Sequence, residues 1–357
     1  MTDCDFPIIR YESDQSPAQW GEAHGEQYRD AIKELVDIRT GLMREKNPAL
    51  NKDTIARLAL EQWNITKQFH SELTSELQGI VDGSDSSISD IIILNNYTDF
   101  RDIHVDDQGC SLAYINAGHG PVVGQTWDMH GSAKRFVCCI DLPESKSDGR
   151  TVVFSVVGCV GMMGFNSRGG MLGVNNINTN GAKPGAIWPV IVRAVLESDN
   201  LQQMTSCLTS SPKTSGHNYL IAQKDQAQMW EVAPGCNDQV DGKASGEQGY
   251  MFHTNHCLGE NMIERETVIS QNSTTHIRFE LLQKKIADVS NFKQMYDLMN
   301  DHENYPKSIC SNFQTDSQDP SVTCGGAVGN LESGEVTMWR GDQLHDSNFV
   351  SHQFKVF

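Results

Sequence analysis

A chain of 357 residues, 38% hydrophobic and 21% charged, has enough material for one large core or two ordinary domains. Its net charge of -18 excludes a nucleic-acid binder, which needs clustered Lys and Arg to meet phosphates. No run approaches the roughly 20 apolar residues of a membrane span, so no membrane partner is expected. The stretch "MTDCDFPIIRYESDQSPAQW" lacks a basic-then-apolar signal pattern, and the ten scattered cysteines read as reduced thiols of a cytoplasmic protein.

Up to about residue 100 the pattern is helical. "AQWGEAHGEQYRDAIKELVDIRTGLM" puts Tyr28, Ile32, Leu35, Val36 and Leu42 on one stripe, which predicts a single amphipathic helix. "KDTIARLALEQWNITKQFHSELTSELQGI" does the same with Ile55, Leu58, Trp63 and Leu73, and Asp53 or Thr54 is placed to cap it. "SISDIIILNNYTDF" opens with a capping box from Ser87 to Asp90. After Gly109 short apolar runs alternate with Gly, Asn and Asp turns and predict antiparallel hairpins, interrupted by helical blocks near 187–209 and 274–301. Strands in groups and helices in groups predict an α+β fold. The shift at residue 109 divides a helix-rich segment, 1–109, from a strand-rich one, 110–357.

The Gly109-Cys110 step at that boundary raises a chemical question. A three-residue turn, "GHG" at 118–120, joining strands 110–117 and 121–128 would set Cys110 opposite Asp128. A slip of one residue would break that pairing. A free thiol has a pKa near 8.5, but a cysteine that is also an N-terminus carries its own base, an α-amine with a pKa near 7.7–8.0. Making such a terminus requires the thiol to attack the preceding carbonyl, which a glycine leaves unhindered. Taken alone, a glycine before a cysteine at a strand entrance is usually a turn glycine followed by a core cysteine. The "GCVGMMG" run lacks both phosphate-loop patterns and predicts close backbone packing. His253 and His256 stand at no zinc-motif spacing, and no metal is expected.

"QGCSLAY", "GQTWD", "GMMGFNSRGG", "MFHTNHCL" and "NYPKSIC" occur in the order and spacing of the acyl-coenzyme A:isopenicillin N acyltransferase family. That family is a branch of the N-terminal nucleophile hydrolases that includes arthropod β-alanyl-amine hydrolases. "WGEAHGEQY" and "DIIILNNYTDF" are similar to its helical pro-segment, so the chain resembles the family from about residue 19 to 340. The resemblance implies a four-layer αββα sandwich made as a precursor, cut between Gly109 and Cys110 and retained as a heterodimer of its α and β fragments. It further implies Cys110 as nucleophile and, through its amine, general base. Asp128 would orient that amine, Asn255 would donate to the oxyanion, and Asn175 would be a second donor. His217 and His256 are candidates to face the substrate, while His253 is expected to serve a structural role.

One departure bears on the substrate. The family carries an arginine in a C-terminal "S-R-G-A-T" segment; here the stretch reads "DPSVTCGGAVGNL", with no arginine between Arg278 and Arg340. An arginine fork suits carboxylates. The expectation is therefore a self-processing amidohydrolase that cleaves small N-acyl amines, such as β-alanyl conjugates, through a thioester and without a cofactor. Two alternatives remain: an N-acyltransferase with acyl-CoA as cosubstrate, and an unprocessed member that binds small ligands without turnover.

Overall fold

The structure is a computed structural model that describes residues 6–46, 51–102, 109–117, 120–143, 149–241, 249–269, 273–312 and 319–357. A short strand, β1 (Ile8–Arg10), precedes helices α1 (Pro17–Gln27), α2 (Arg29–Lys46), α3 (Lys52–Phe69), α4 (Ser71–Ser84) and α5 (Ile88–Asp102). Then come β2 (Leu112–Ala117), β3 (Gly120–His130), β4 (Val137–Pro143), β5 (Arg150–Val156), β6 (Met163–Asn166) and β7 (Gly170–Asn176). Helices α6 (Trp188–Leu196) and α7 (Leu201–Ser210) lead to β8 (His217–Gln223), β9 (Gln226–Ala233), β10 (Cys236–Gln239) and β11 (Tyr250–His253). The chain ends with α8 (Glu260–Ile263), α9 (Thr275–Lys285), α10 (Phe292–Met299), β12 (Ser321–Asn330), β13 (Glu335–Arg340) and β14 (Val350–Lys355).

The first two predicted helices are each divided. The stripe read over 18–43 is broken at Tyr28, which lies outside helical φ/ψ and ends α1. The stripe over 52–80 is broken at His70, whose extended backbone ends α3 while its ring accepts the Leu73 N–H and starts α4. The cap of α3 is Asn51, not Asp53 or Thr54; its side chain accepts from the Thr54 N–H at 2.9 Å. The Ser87–Asp90 box forms as read, with Ser87 N to Asp90 Oδ2 at 2.9 Å and Asp90 N to Ser87 Oγ at 3.2 Å. Gly21 and Gly79 let α1 and α4 touch backbone to backbone; a Cβ on Gly21 would lie 1.9 Å from the Glu76 carbonyl oxygen.

Two sheets form the centre. One has eight strands in the order β1-β4-β5-β6-β7-β8-β9-β10, the other six in the order β11-β2-β3-β12-β13-β14. All pairings are antiparallel except β1 with β4. The sheets face each other. Trp127 of β3 meets Phe154 of β5 edge to face, and the Gln125 amide of β3 bonds both the N–H and C=O of Val174 in β7. Along β2 the residues alternate: Leu112 and Tyr114 enter the core between the sheets, Ala113 and Ile115 a second core under α9 and α10. Helices α6 and α7 pack on the eight-stranded sheet, and the buried Glu76–Arg193 ion pair (3.1 Å) ties α4 to α6. The layers run helix, sheet, sheet, helix, the expected α+β fold in a four-layer αββα sandwich.

In the glycine-rich run, Gly158 has φ +81° and would press a Cβ on Leu94 and Ile32. Gly164 lies against Val153 and Leu196, so the run serves close packing. Among the described residues no helix is long and apolar enough to cross a membrane.

Candidate active site

The backbone ahead of β2 continues the ladder with β3. Thr126 N donates to Ser111 O at 2.9 Å, and Asp128 N donates to Gly109 O at 2.9 Å. With Leu112 paired to Gln125, this register sets Asp128 across from Gly109 and leaves Cys110 facing Trp127. The expected pairing of Cys110 with Asp128 is thus off by one. The reason is the connection: Ala117 pairs with Gly120, so two residues separate the strands instead of three, and both (118 and 119) lie outside the described residues. A tight pairing between the carboxylate and the junction survives the slip. A Cβ on Gly109 would fall 2.5 Å from Asp128 Oδ2 and 3.0 Å from Arg278 Nη2, so any larger residue before Cys110 must displace the carboxylate or the junction.

Asp128 is buried, at 1% exposure. Its Oδ1 accepts from Thr323 Oγ1 at 2.7 Å and its Oδ2 from Ser311 Oγ at 3.4 Å. Burial pushes its carboxyl up to about 6, against the pull of the Arg278 charge and the surrounding hydroxyls. Cys110, also buried, has its thiol pushed up to about 12 by burial first and by the Asp128 charge second; a bond from the Asp128 backbone and Arg278 oppose this. In the uncut chain the thiol is therefore protonated at neutral pH and needs a base to react.

Asn255 closes the site from the loop after β11. Its Oδ1 accepts from the Cys110 amide N–H at 2.8 Å and from Arg278 Nη2 at 2.8 Å, and its Nδ2 donates to Asn176 O at 2.8 Å. Two donors on one oxygen fix the orientation of the carboxamide. The nitrogen of Cys110 is thus held by Asn255 and not by Asp128, and as folded Asn255 presents an acceptor, not a donor, to Cys110. The loop is built from behind: His253 Nε2 lies 2.9 Å from Glu231 Oε1, with both residues fully buried, and Glu231 also accepts from Leu258 N and Gly259 N at 2.7 and 2.8 Å. His253 thus lies within the hydrogen-bond network that supports the loop. His256, with its ring 4.4 Å from that of His276 and Nδ1 3.1 Å from Thr275 Oγ1, braces the same loop against α9; burial above all pushes it down to about 3.

Asn175 faces the other sheet: two residues earlier on β7, a Cβ on Gly173 would meet Leu112 and Gln125. Its Oδ1 accepts from Asn218 Nδ2 at 3.1 Å, while its own Nδ2 is buried without a partner. The Asn175–Asn218 pair thus leaves the amide nitrogen of Asn175 and the amide oxygen of Asn218 unspent. His217 pairs with Asn176 and so projects from the opposite face, toward the helices. There it sits 3.3 Å from Asp99 of α5, between the rings of Trp188 and Tyr219, and burial pushes it down to about 3. The structure does not bring His217 together with Cys110.

Sequence reasoning missed Arg278. From α9 its Nη1 donates to Cys110 O at 2.6 Å and Ser111 Oγ at 3.2 Å, and its Nε to Thr274 Oγ1 at 2.9 Å; it is 1% exposed. The missing arginine of the C-terminal segment therefore does not leave the site without a guanidinium, because one arrives from a different element. No motif surrounds "STTHIRFELLQ", and only the 168-residue separation closed by the fold reveals the contact.

Comparison with known proteins places this geometry in context. The model of the acyl-coenzyme A:6-aminopenicillanic acid acyl-transferase family matches residues 115–328. The acyl-coenzyme A:6-aminopenicillanic-acid-acyltransferase 40 kDa form of Emericella nidulans is 25% identical over 312 residues, covering 84% of this chain and 83% of that one. Among solved structures, a mutant of conjugated bile acid hydrolase from Clostridium perfringens aligns with a TM-score of 0.47 at 12% identity, over 69% of this chain and 92% of that one. The N-acylethanolamine-hydrolyzing acid amidase ortholog of Caenorhabditis elegans aligns with a TM-score of 0.42 at 12% identity, over 62% of this chain and 92% of that one.

Proposed function

The chain belongs to the acyl-coenzyme A:6-aminopenicillanic acid acyl-transferase family and is an enzyme of acyl–amide chemistry, and from that premise we propose that it cleaves its own Gly109–Cys110 bond and then hydrolyses small N-acyl amines with Cys110 as nucleophile. The observation that carries this reading is the grip on both ends of the bond: Gly109 O on the Asp128 N–H, Cys110 N on Asn255 Oδ1. Residues 1–109 and 110–357 would remain together as the two fragments.

Asp128, raised to about 6, is ionised at neutral pH and its charge falls on the Cys110 thiol, so it is suited to take the thiol proton. The sulfur then attacks the Gly109 carbonyl carbon, and the oxygen, gaining negative charge, is met by the Asp128 N–H already on it. The C–N bond breaks, the nitrogen takes the proton back, and water hydrolyses the resulting thioester to free the Gly109 carboxylate and the thiol. The new α-amine stays on Asn255 Oδ1, positioned to serve as base for the substrate amide. The amine product leaves, and water hydrolyses the acyl thioester. The unspent Nδ2 of Asn175 supports its expected part as an oxyanion donor.

Uncharged amides such as β-alanyl conjugates remain the preferred class, because the donors of Arg278 are spent on Cys110, Ser111, Asn255 and Thr274 and offer no fork to a substrate carboxylate. A second reading has an amine intercept the thioester, with acyl-CoA as acyl donor; the similarity to the acyl-coenzyme A:6-aminopenicillanic-acid-acyltransferase of Emericella nidulans favours it. Intact mass under denaturing conditions tests the processing: fragments 1–109 and 110–357 in the wild type, and one uncut chain in Cys110→Ala. An uncut wild-type chain would remove the reading in favour of a ligand-binding protein. Supplying acyl-CoA with a panel of amines then separates free acid from amide product.

A further inference from the structure

A second cluster of chemically capable side chains stands outside the machinery around Cys110. The segment after α10 brings His302, and the turn between β13 and β14 brings Asp342 and His345. One ligand atom from each lies within 4.8 Å of the other two. Asp342 is 6% exposed. Its Oδ1 accepts from His302 Nε2 at 2.9 Å and from Leu344 N at 2.9 Å, while Oδ2 is buried without a partner. A buried carboxylate oxygen lacking a donor is costly, and ordinary folding removes such groups unless something else meets them.

The surroundings hold these groups in place. Gly341, at φ +88°, turns the chain after β13, and Asp342 N donates to Asp346 Oδ2 at 2.7 Å. Asp346 is itself paired with Lys134 at 2.6 Å. The Tyr305 ring lies 4.5 Å from that of His345 and 5.7 Å from that of His302. None of these side chains contacts Asn255 or Arg278 in any bond described above.

We propose that His302, Asp342 and His345 form a binding site for a divalent transition-metal ion of the zinc class, clipping the segment after α10 to the turn after β13. Two imidazoles and one carboxylate suit Zn²⁺ or Co²⁺; Mg²⁺ and Ca²⁺ take oxygen ligands. The 2.9 Å between His302 Nε2 and Asp342 Oδ1 is a hydrogen bond; tetrahedral ligands at about 2.0–2.2 Å from one ion stand about 3.3–3.6 Å apart, so the two need separate by only about half an ångström to admit it. His345, the exposed member, already offers a ring nitrogen within 4.8 Å of the other two and completes the set. On binding, the ion replaces the His302–Asp342 hydrogen bond and takes a neutral imidazole, and Asp342 Oδ2 gains a partner within reach. The clipped segment also carries Ser311, the hydroxyl on Asp128 Oδ2.

The test is cobalt titration of the purified full chain after chelator dialysis, followed by the visible d–d absorption and by the thermal midpoint. One Co²⁺ per chain is expected, displaced by Zn²⁺, with a raised midpoint and no response to Mg²⁺ or Ca²⁺. His345→Ala, at an exposed position, should weaken binding by about tenfold or more, and His302→Ala likewise. Should Asp342→Asn fail to fold, those two variants decide. Absence of cobalt binding, or binding unchanged in both histidine variants, overturns the site. Neither result depends on whether Gly109–Cys110 is cut.

Discussion

The Asp128 N–H donates to the Gly109 carbonyl oxygen at 2.9 Å, while the Asp128 carboxylate closes over the space a Gly109 side chain would need. One residue thus grips the Gly109–Cys110 junction by its backbone and restricts Gly109 by its side chain. Gly109→Ala puts a methyl 2.5 Å from Asp128 Oδ2 and must move either the carboxylate or the junction. A shift of about 1 Å at a reacting centre costs on the order of a hundredfold in rate. Fragment appearance by mass spectrometry should be slowed to that degree, with the thermal midpoint lowered far less. Wild-type processing rates in this variant would mean that the junction does not react in the observed geometry.

The carboxyl of Asp128 makes a pH prediction with a definite sign. Burial raises it to about 6 in the folded chain, so folding takes up a proton there between about pH 4 and pH 6. Its contribution to stability is fully present below pH 4 and falls as pH rises through 6, by about 3 kcal/mol in the limit. Urea unfolding of Cys110→Ala should show that loss between pH 4 and pH 7, and Cys110→Ala with Asp128→Asn should not. In the reactive chain, cleavage should accelerate through the same window. Equal slopes in the two variants would show that Asp128 titrates as an ordinary carboxylate.

Asn255 separates two roles that one substitution to alanine would confuse. Its oxygen accepts from Cys110 N and Arg278, and its nitrogen donates to Asn176 O. Asn255→Asp keeps the acceptor and removes the donor. If holding the Cys110 nitrogen is what matters, Asn255→Asp should still process, while Asn255→Ala loses about a hundredfold or more in cleavage. Equal loss in both variants would return Asn255 to an oxyanion-donor role.

Arg278→Met removes the positive charge that holds Asp128 and Cys110 down. The apparent pKa of cleavage should then move upward from about 6, the opposite of what loss of a merely structural contact would produce. Arg278→Lys, which keeps the charge but not the fork, should restore the pKa better than the rate. A pH profile unchanged in Arg278→Met would remove the electrostatic role.

Local chemistry is what the sequence by itself determined. The stripe of Ile32, Leu35 and Val36 is buried, and the Ser87–Asp90 box forms, because each depends on neighbours within one or two turns of helix. The α+β layering and the composition change at residue 109 follow from the same short periods. What the tertiary structure decided are relations between distant segments. Tyr28 and His70 break the helical stripes, and α1 meets α4 at glycines that hydrophobic periodicity ignores. One residue of loop length moved Asp128 from Cys110 to Gly109, since strand register depends on the exact turn. The orientation of Asn255 was set by Arg278 and Asn176, which lie 23 and 79 residues away along the chain, so no local pattern could carry it.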